Sequence, residues 1–143
     1  MTLAFPIAAA SATIDRTPGV GPTSGLGLLG TADDGTMLPE INEDGRYVVF
    51  HSAADNLVAD DTNETSDIFL HDTVDGTTTR ISLGLDRAEA DGASEFARIS
   101  ADGTLVAYQS LATNLVPDDS NFLRDIFVQD VGTGSTARAS VGP

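Results

Sequence analysis

The sequence has no cysteine and no lysine. The first absence rules out a disulfide, a thiolate metal site and a cysteine nucleophile. The second leaves 7 arginines to face 22 aspartates and glutamates, for a net charge of −15. A surface this acidic repels phosphate backbones and argues against nucleic acid as a partner. Also missing are an apolar run long enough to span a bilayer and any recurrence of apolar residues at helical spacing, while β-branched residues are abundant. At 143 residues the chain is one domain or part of one.

What the chain does have is repetition. The segment 44–80 returns without a gap as 102–138, fifty-eight residues on, keeping Asn56/Asn114, Asp61/Asp119, Asn63/Asn121, Asp67/Asp125, Phe69/Phe127, Asp72/Asp130 and Arg80/Arg138. A fixed period of this size is the signature of a repeat architecture. Each unit reads as four short strands separated by turn signals. The first strands are expected around Leu38–Asn42 and Ala97–Ser100, the second at Arg46–Ser52 and Thr104–Ser110. The third are expected at Asp67–Asp72 and Asp125–Asp130, the fourth at Thr77–Leu83 and Ser135–Val141. Asp44-Gly45 and Asp102-Gly103 are hairpin dipeptides, and glycines at 76, 132 and 134 mark the next turns. In the second strand a period of two puts Tyr47, Val49 and His51 on one face and Val48, Phe50 and Ser52 on the other.

Four antiparallel strands per unit, repeated, describe an all-β fold of β-propeller blades, with a pair of hairpins in a β-sandwich as the alternative. The period exceeds the ~40–45 residues of the common propeller repeat. The surplus lies in the connections between strands two and three and between units. In an up-and-down sheet those long loops share one end, and they carry Asp60, Asp61, Asn63, Glu64, Glu89, Asp91 and Glu95. Loops on a rigid sheet are where binding sits.

Residues Ile99–Ser110 and Ala112–Asp130 together resemble the TolB-like β-propeller repeat of exported bacterial proteins, and the resemblance extends over roughly 38–142. The first copy departs with Asn42 for the serine and Ala59 for the proline. The resemblance implies a propeller fold and protein interaction or scaffolding outside the cytoplasm, extracellular or periplasmic. It carries no catalytic residues. On this reading 38–95 is one blade and 96–143 a second. Residues 23–37 hold the last strand of a preceding blade (Thr23–Leu28) and a linker. Residues 1–22 are a separate segment: the remnant of a signal peptide ending in Ala-Ser-Ala, a linker, or a strand exchanged with a neighbour. Two blades cannot close a ring, so the chain is either part of a longer propeller or, if complete in itself, expected to form homo-oligomers, as rings or filaments.

The strongest chemical pattern is Asp61, Asn63, Thr65 and Asp67, repeated as Asp119, Asn121 and Asp125. Oxygens at positions one, three, five and seven of a loop resemble the start of a calcium site, without the glycine and glutamate of an EF-hand. A calcium ion here would be structural. The alternative is an Asx turn followed by a strand start. His51 and His71 become Gln109 and Gln129 in the second copy, which fits hydrogen-bonding positions better than zinc ligands. Ser52 and His51 point to opposite faces, so a hydrolase with Asp72 as third partner is not expected, nor is a propeller enzyme working by carboxylates alone. Arg80 and Arg138 are expected to pair across strands with Asp72 and Asp130. The sequence therefore points to a non-enzymatic, exported interaction module. The alternative is a subunit that self-assembles through its blades or its N-terminal strand.

Overall fold

The computed structural model describes residues 35–142, and the expectations for residues 1–34 lie outside the described residues. Eight strands form: β1 (Thr36–Ile41), β2 (Tyr47–Ser52), β3 (Asp67–Asp72), β4 (Thr77–Arg80), β5 (Ser94–Ile99), β6 (Leu105–Ser110), β7 (Asp125–Asp130) and β8 (Thr136–Arg138). They make two four-stranded antiparallel sheets, each in the order of the chain, β1-β2-β3-β4 and β5-β6-β7-β8. This is the expected all-β, blade-like meander, present twice. The register also repeats: Phe50 lies opposite Phe69 in the first sheet, and Tyr108 opposite Phe127 in the second.

The middle strands stand where the alternation puts them, while the outer ones differ. β1 and β5 start at Thr36 and Ser94, earlier than expected, because a register shift interrupts each between Met37 and Glu40 and between Glu95 and Arg98. A bulge breaks the period of two and hides the strand from pattern reading. Leu38 and Phe96, inside the bulges, have φ of 50° and 58°. β4 ends at Arg80 instead of Leu83. Ile81 N–H still donates to Ile68 O, but Leu83 N–H turns back onto Ile81 O and carries the chain off the sheet.

The two sheets pack face to face. Val49, Ile68 and Leu70 from one face of the first sheet join Ala97, Val106, Tyr108 and Phe127 of the second in a single core cluster. Tyr108 stacks on Phe127 with centroids 6.0 Å apart. Burial of each large side chain here contributes about 1.5–3 kcal/mol. The polar edges of the junction are bonded as well: Ile99 N–H donates to Glu40 Oε2 (3.0 Å) and Glu43 N–H to Ala101 O (3.0 Å). At Gly103, φ is +74° and an added Cβ would lie 2.8 Å from the Tyr47 ring, so both the turn and the closeness of the sheets require glycine.

Candidate functional site

The tight turns lie together at one end, where Thr73 N–H donates to Arg46 O and Thr73 Oγ1 to Gly45 O. The long loops 53–66 and 111–124 lie at the other end, together with the connector 81–93. Antiparallel order dictates this division, and the connector stitches the two loops. Glu89 accepts from Thr62 N–H (2.7 Å) and Thr62 Oγ1 (2.6 Å) of the first loop. Asp91 accepts from Thr113 N–H and Thr113 Oγ1 (both 2.6 Å) of the second. Asn114 donates to Glu89 O (2.7 Å) and accepts from Asp91 N–H (3.2 Å). A Cβ on Gly84 would collide with that Asn114 side chain at 2.7 Å.

Beneath the loops, the residues assigned by sequence to calcium gather around an arginine. Arg80 Nη1 lies 2.7 Å from Asp61 Oδ1, 2.9 Å from Glu89 Oε1 and 3.3 Å from Asp67 Oδ2, and Nη2 donates to Asp60 O (2.6 Å). The Arg80 side chain is 5% exposed and that of Asp67 is fully buried. Asn63 Nδ2 donates to Asp67 Oδ2 (2.8 Å) while its Oδ1 accepts Thr65 N–H (3.0 Å), which is the Asx turn. Thr65 Oγ1 is buried without a hydrogen-bond partner. The second copy repeats the plan: Arg138 Nη1 lies 2.8 Å from Asp119 and 3.6 Å from Asp125, and Asn121 bridges Asp125 and Leu123 N–H. Among the described residues, no group of three or more carboxylates or imidazoles stands in an arrangement that holds a metal.

The expected pairing of Arg80 with Asp72, and of Arg138 with Asp130, is corrected here. The Gly76 turn pairs Asp72 with Thr77, so Arg80 falls opposite Phe69, towards the far end of the strand. Asp72 instead accepts from Arg46 Nε (2.9 Å) and Nη2 (2.7 Å). Asp130 caps its own turn by accepting from Thr133 N–H and Oγ1. Two residues of the acidic clusters went unread in the sequence. Ser82 Oγ donates to Asp67 Oδ1 (2.6 Å) and accepts Ile68 N–H (2.9 Å). Ser140 does the same for Asp125 and Ile126. The available signal was a serine two residues after the arginine in both copies.

The electrostatics follow from these contacts. Burial pushes the Asp61 carboxyl up, against the pull of Arg80. Burial of Arg80 opposes its charge, but the Glu89 hydrogen bond and the charges of Asp67, Asp61 and Glu89 outweigh it and hold its pKa above the ordinary value. The Thr62 hydroxyl and N–H, then Arg80, bring Glu89 down from its ordinary 4.5 to about 2. At the opposite end Arg46 holds Asp72 at about 2. A depressed carboxylate stabilises the fold above its unfolded pKa, and that contribution is lost as pH falls through the folded value. The part of stability owed to Glu89 should therefore disappear between about pH 4.5 and pH 2. Asp61 acts in the opposite sense, its contribution falling as pH rises. Urea midpoints recorded across this range should fall less steeply for Glu89→Gln than for the unaltered protein. Parallel curves would mean that Glu89 is solvated rather than clamped.

Ser52, His51 and Asp72 do not converge. Ser52 Oγ donates to Gly35 O and accepts Ala54 N–H, the His51 ring lies 5.8 Å from that of Phe96, and Asp72 is at the other end of the sheet. His71 Nδ1 is 3.0 Å from Thr78 Oγ1, a hydrogen-bonding role as expected.

At the tip of the second long loop, Phe122 and Leu123 are 79% and 67% exposed. Phe122 has φ of 57° and its counterpart Glu64 56°, so this conformation belongs to the turn, and the apolar side chains are particular to the second copy. Around the tips, Asp55, Asp60, Glu64, Asp91 and Asp118 are exposed.

No protein-family model matches the chain, and no curated protein matches it. Among solved structures, TolB from Acinetobacter baumannii is similar over 75% of this chain at 20% identity, with a TM-score of 0.46. The similar region spans 21% of the TolB chain, about a fifth of its length.

Proposed function

We propose that the protein is a non-enzymatic interaction module that binds another protein through its long-loop end. The observation that carries this is the pair Phe122 and Leu123, 79% and 67% exposed on a loop tip held by Asn121. Two adjacent large apolar side chains on one loop tip form a contiguous apolar surface of the kind that marks contact with a partner. The exposed carboxylates of the long-loop end, Asp118 of the same loop among them, favour a partner with an apolar socket and basic groups beside it. The apolar opening of the sequence and its TolB-like repeat accord with a place outside the cytoplasm. The full chain, immobilised, should retain a protein from a cell-envelope or culture-fluid extract and lose it when Phe122 and Leu123 are both changed to serine. Val74→Ser, at the tight-turn end and 71% exposed, should retain it. Equal capture by both variants would remove the loop tip from consideration.

We also propose that Arg80 and Arg138 order the loops whose spacing suggested calcium. What supports this is the guanidinium of Arg80 among Asp61, Asp67 and Glu89, at 2.7–3.3 Å. Thermal melts after chelation, with calcium restored, and with magnesium as control should coincide. A calcium-specific rise that Asp61→Asn and Asp119→Asn abolish would return these loops to metal.

A further inference from the structure

The connector between the sheets closes over a cavity of about 260 Å³. Gln129 of β7 and Thr136 of β8 line it. They pair across the ladder, and Gln129 stands two residues from the buried Phe127. The cavity therefore lies on the inner face of the second sheet, the face turned towards the first. Leu115 and Val116 of the second long loop, both buried, form its apolar wall. The exposed turn Leu85–Arg87 is its rim. All these walls are among the described residues.

Two polar groups of the cavity lack partners. Gln129 is 6% exposed, and its Oε1 is buried with no hydrogen-bond donor. Its Nε2 makes only a long bond of 3.4 Å to Gly134 O. The fold does not demand this, because His71 at the same place in the first sheet meets Thr78 Oγ1 at 3.0 Å. A buried acceptor left without a donor is costly, and a donor entering the cavity removes the cost. The second group is Arg87. Arg46, Arg80, Arg98, Arg124 and Arg138 all stand in ion pairs, whereas Arg87 has none among the described residues. Its backbone is also unusual. Asp86 and Arg87 have successive φ of 55° and 61°, a region that residues other than glycine seldom enter. Leu85 N–H bonded to Asn114 O (2.8 Å) and Gly84 N–H bonded to Ala88 O (2.8 Å) hold the turn in this form. The turn thus fixes the Arg87 backbone at the rim of the cavity.

We propose that the cavity binds a small monocarboxylate with an apolar body and a hydrogen-bond donor at its far end. The carboxylate meets Arg87 at the rim, the body lies against Leu115 and Val116, and the donor reaches Gln129 Oε1. Asp86 shares the rim, and the chain carries a net charge of −15. A second negative charge on the ligand would be repelled, so phosphates and dicarboxylates are disfavoured. The cavity is separate from the Phe122 tip, and the proposal does not depend on that tip.

Titration of the full chain with para-hydroxyphenylacetate, followed by amide and methyl NMR, should give saturable shifts at millimolar concentration, confined to the connector turn, Leu115, Val116 and Gln129. Para-hydroxyphenylacetamide, which lacks the charge, should bind about tenfold more weakly. Phenylacetate, which lacks the donor, should bind several-fold more weakly. Arg87→Gln should lower the affinity for the acid to that of the amide and leave the amide unchanged. Gln129→Leu should make the two acids equal, and phenylacetate on the unaltered protein carries that comparison if the variant does not fold. Phe122→Ser should alter none of these affinities. Shifts that are absent, or that never saturate, would overturn the proposal and leave the cavity to water. Equal affinity of the acid and its amide for the unaltered protein would overturn it too.

Discussion

Replacing Arg80 with methionine should lower the free energy of unfolding by about 3–5 kcal/mol, the range for removing one partner of a buried ion pair. Methionine keeps most of the stem and loses the charge, so the loss measures the guanidinium. Without it Asp61 and Asp67, both buried, have no counter-charge, and Asp60 O loses its donor. Asp67 keeps Ser82 and Asn63 as donors, whereas the Arg80 bond of Asp61 has no substitute in the geometry described. Adding Asp61→Asn should therefore recover part of the loss. The deficit should also shrink as pH falls, because an unpaired buried carboxyl takes up a proton. Arg138→Met should cost less. The Arg138 side chain is 23% exposed against 5% for Arg80, and its second carboxylate is 3.6 Å away. Urea denaturation of both variants at neutral pH tests the ordering. Equal and small losses would mean that water solvates the clusters.

Phe127→Ala should cost about 3–5 kcal/mol, the usual range for emptying a phenylalanine site in a core. Phe127 is fully buried, stacked on Tyr108 and part of the cluster that joins the sheets. Neighbouring strands hold their positions through the ladder and cannot collapse into the void, so the loss includes the cavity as well as the lost burial. Phe122→Ala, on the exposed tip, should stay within about 0.5 kcal/mol of the unaltered protein. The pair of measurements separates an aromatic that builds the fold from one that is available for binding. A small effect at Phe127 would mean that the two sheets are not packed through it.

Much of this was legible in the residues. The gapless repeat gave the number of sheets, and the Asp-Ile-Phe cores fixed β3 and β7 to the residue. The face assignment of Tyr47, Val49 and His51 also held, because a pleated strand has a side-chain period of two and little freedom to depart from it. The first strands were read short because their bulges interrupt that period. Strand adjacency without register does not locate the partner of Arg80, because Asp72 and Arg80 sit on neighbouring strands but at opposite ends of the ladder. Counting outward from Gly76 would have put Arg80 opposite Phe69, at the end of the sheet where Asp61 lies.

The sequence by itself determined the strands, their repetition and the gathering of acidic loops at one end, because periodicity and turn chemistry are local. Only the tertiary structure brings Arg80 among those acids. The spacing of Asp61, Asn63 and Asp67 suits any compact positive charge, and nothing within the loop distinguishes a metal ion from a guanidinium. The charge at 2.7 Å from Asp61 arrives from Arg80, on the next strand of the sheet. The pairing of β3 with β4 delivers it, together with the curl after Arg80 that sends the connector back over the loops.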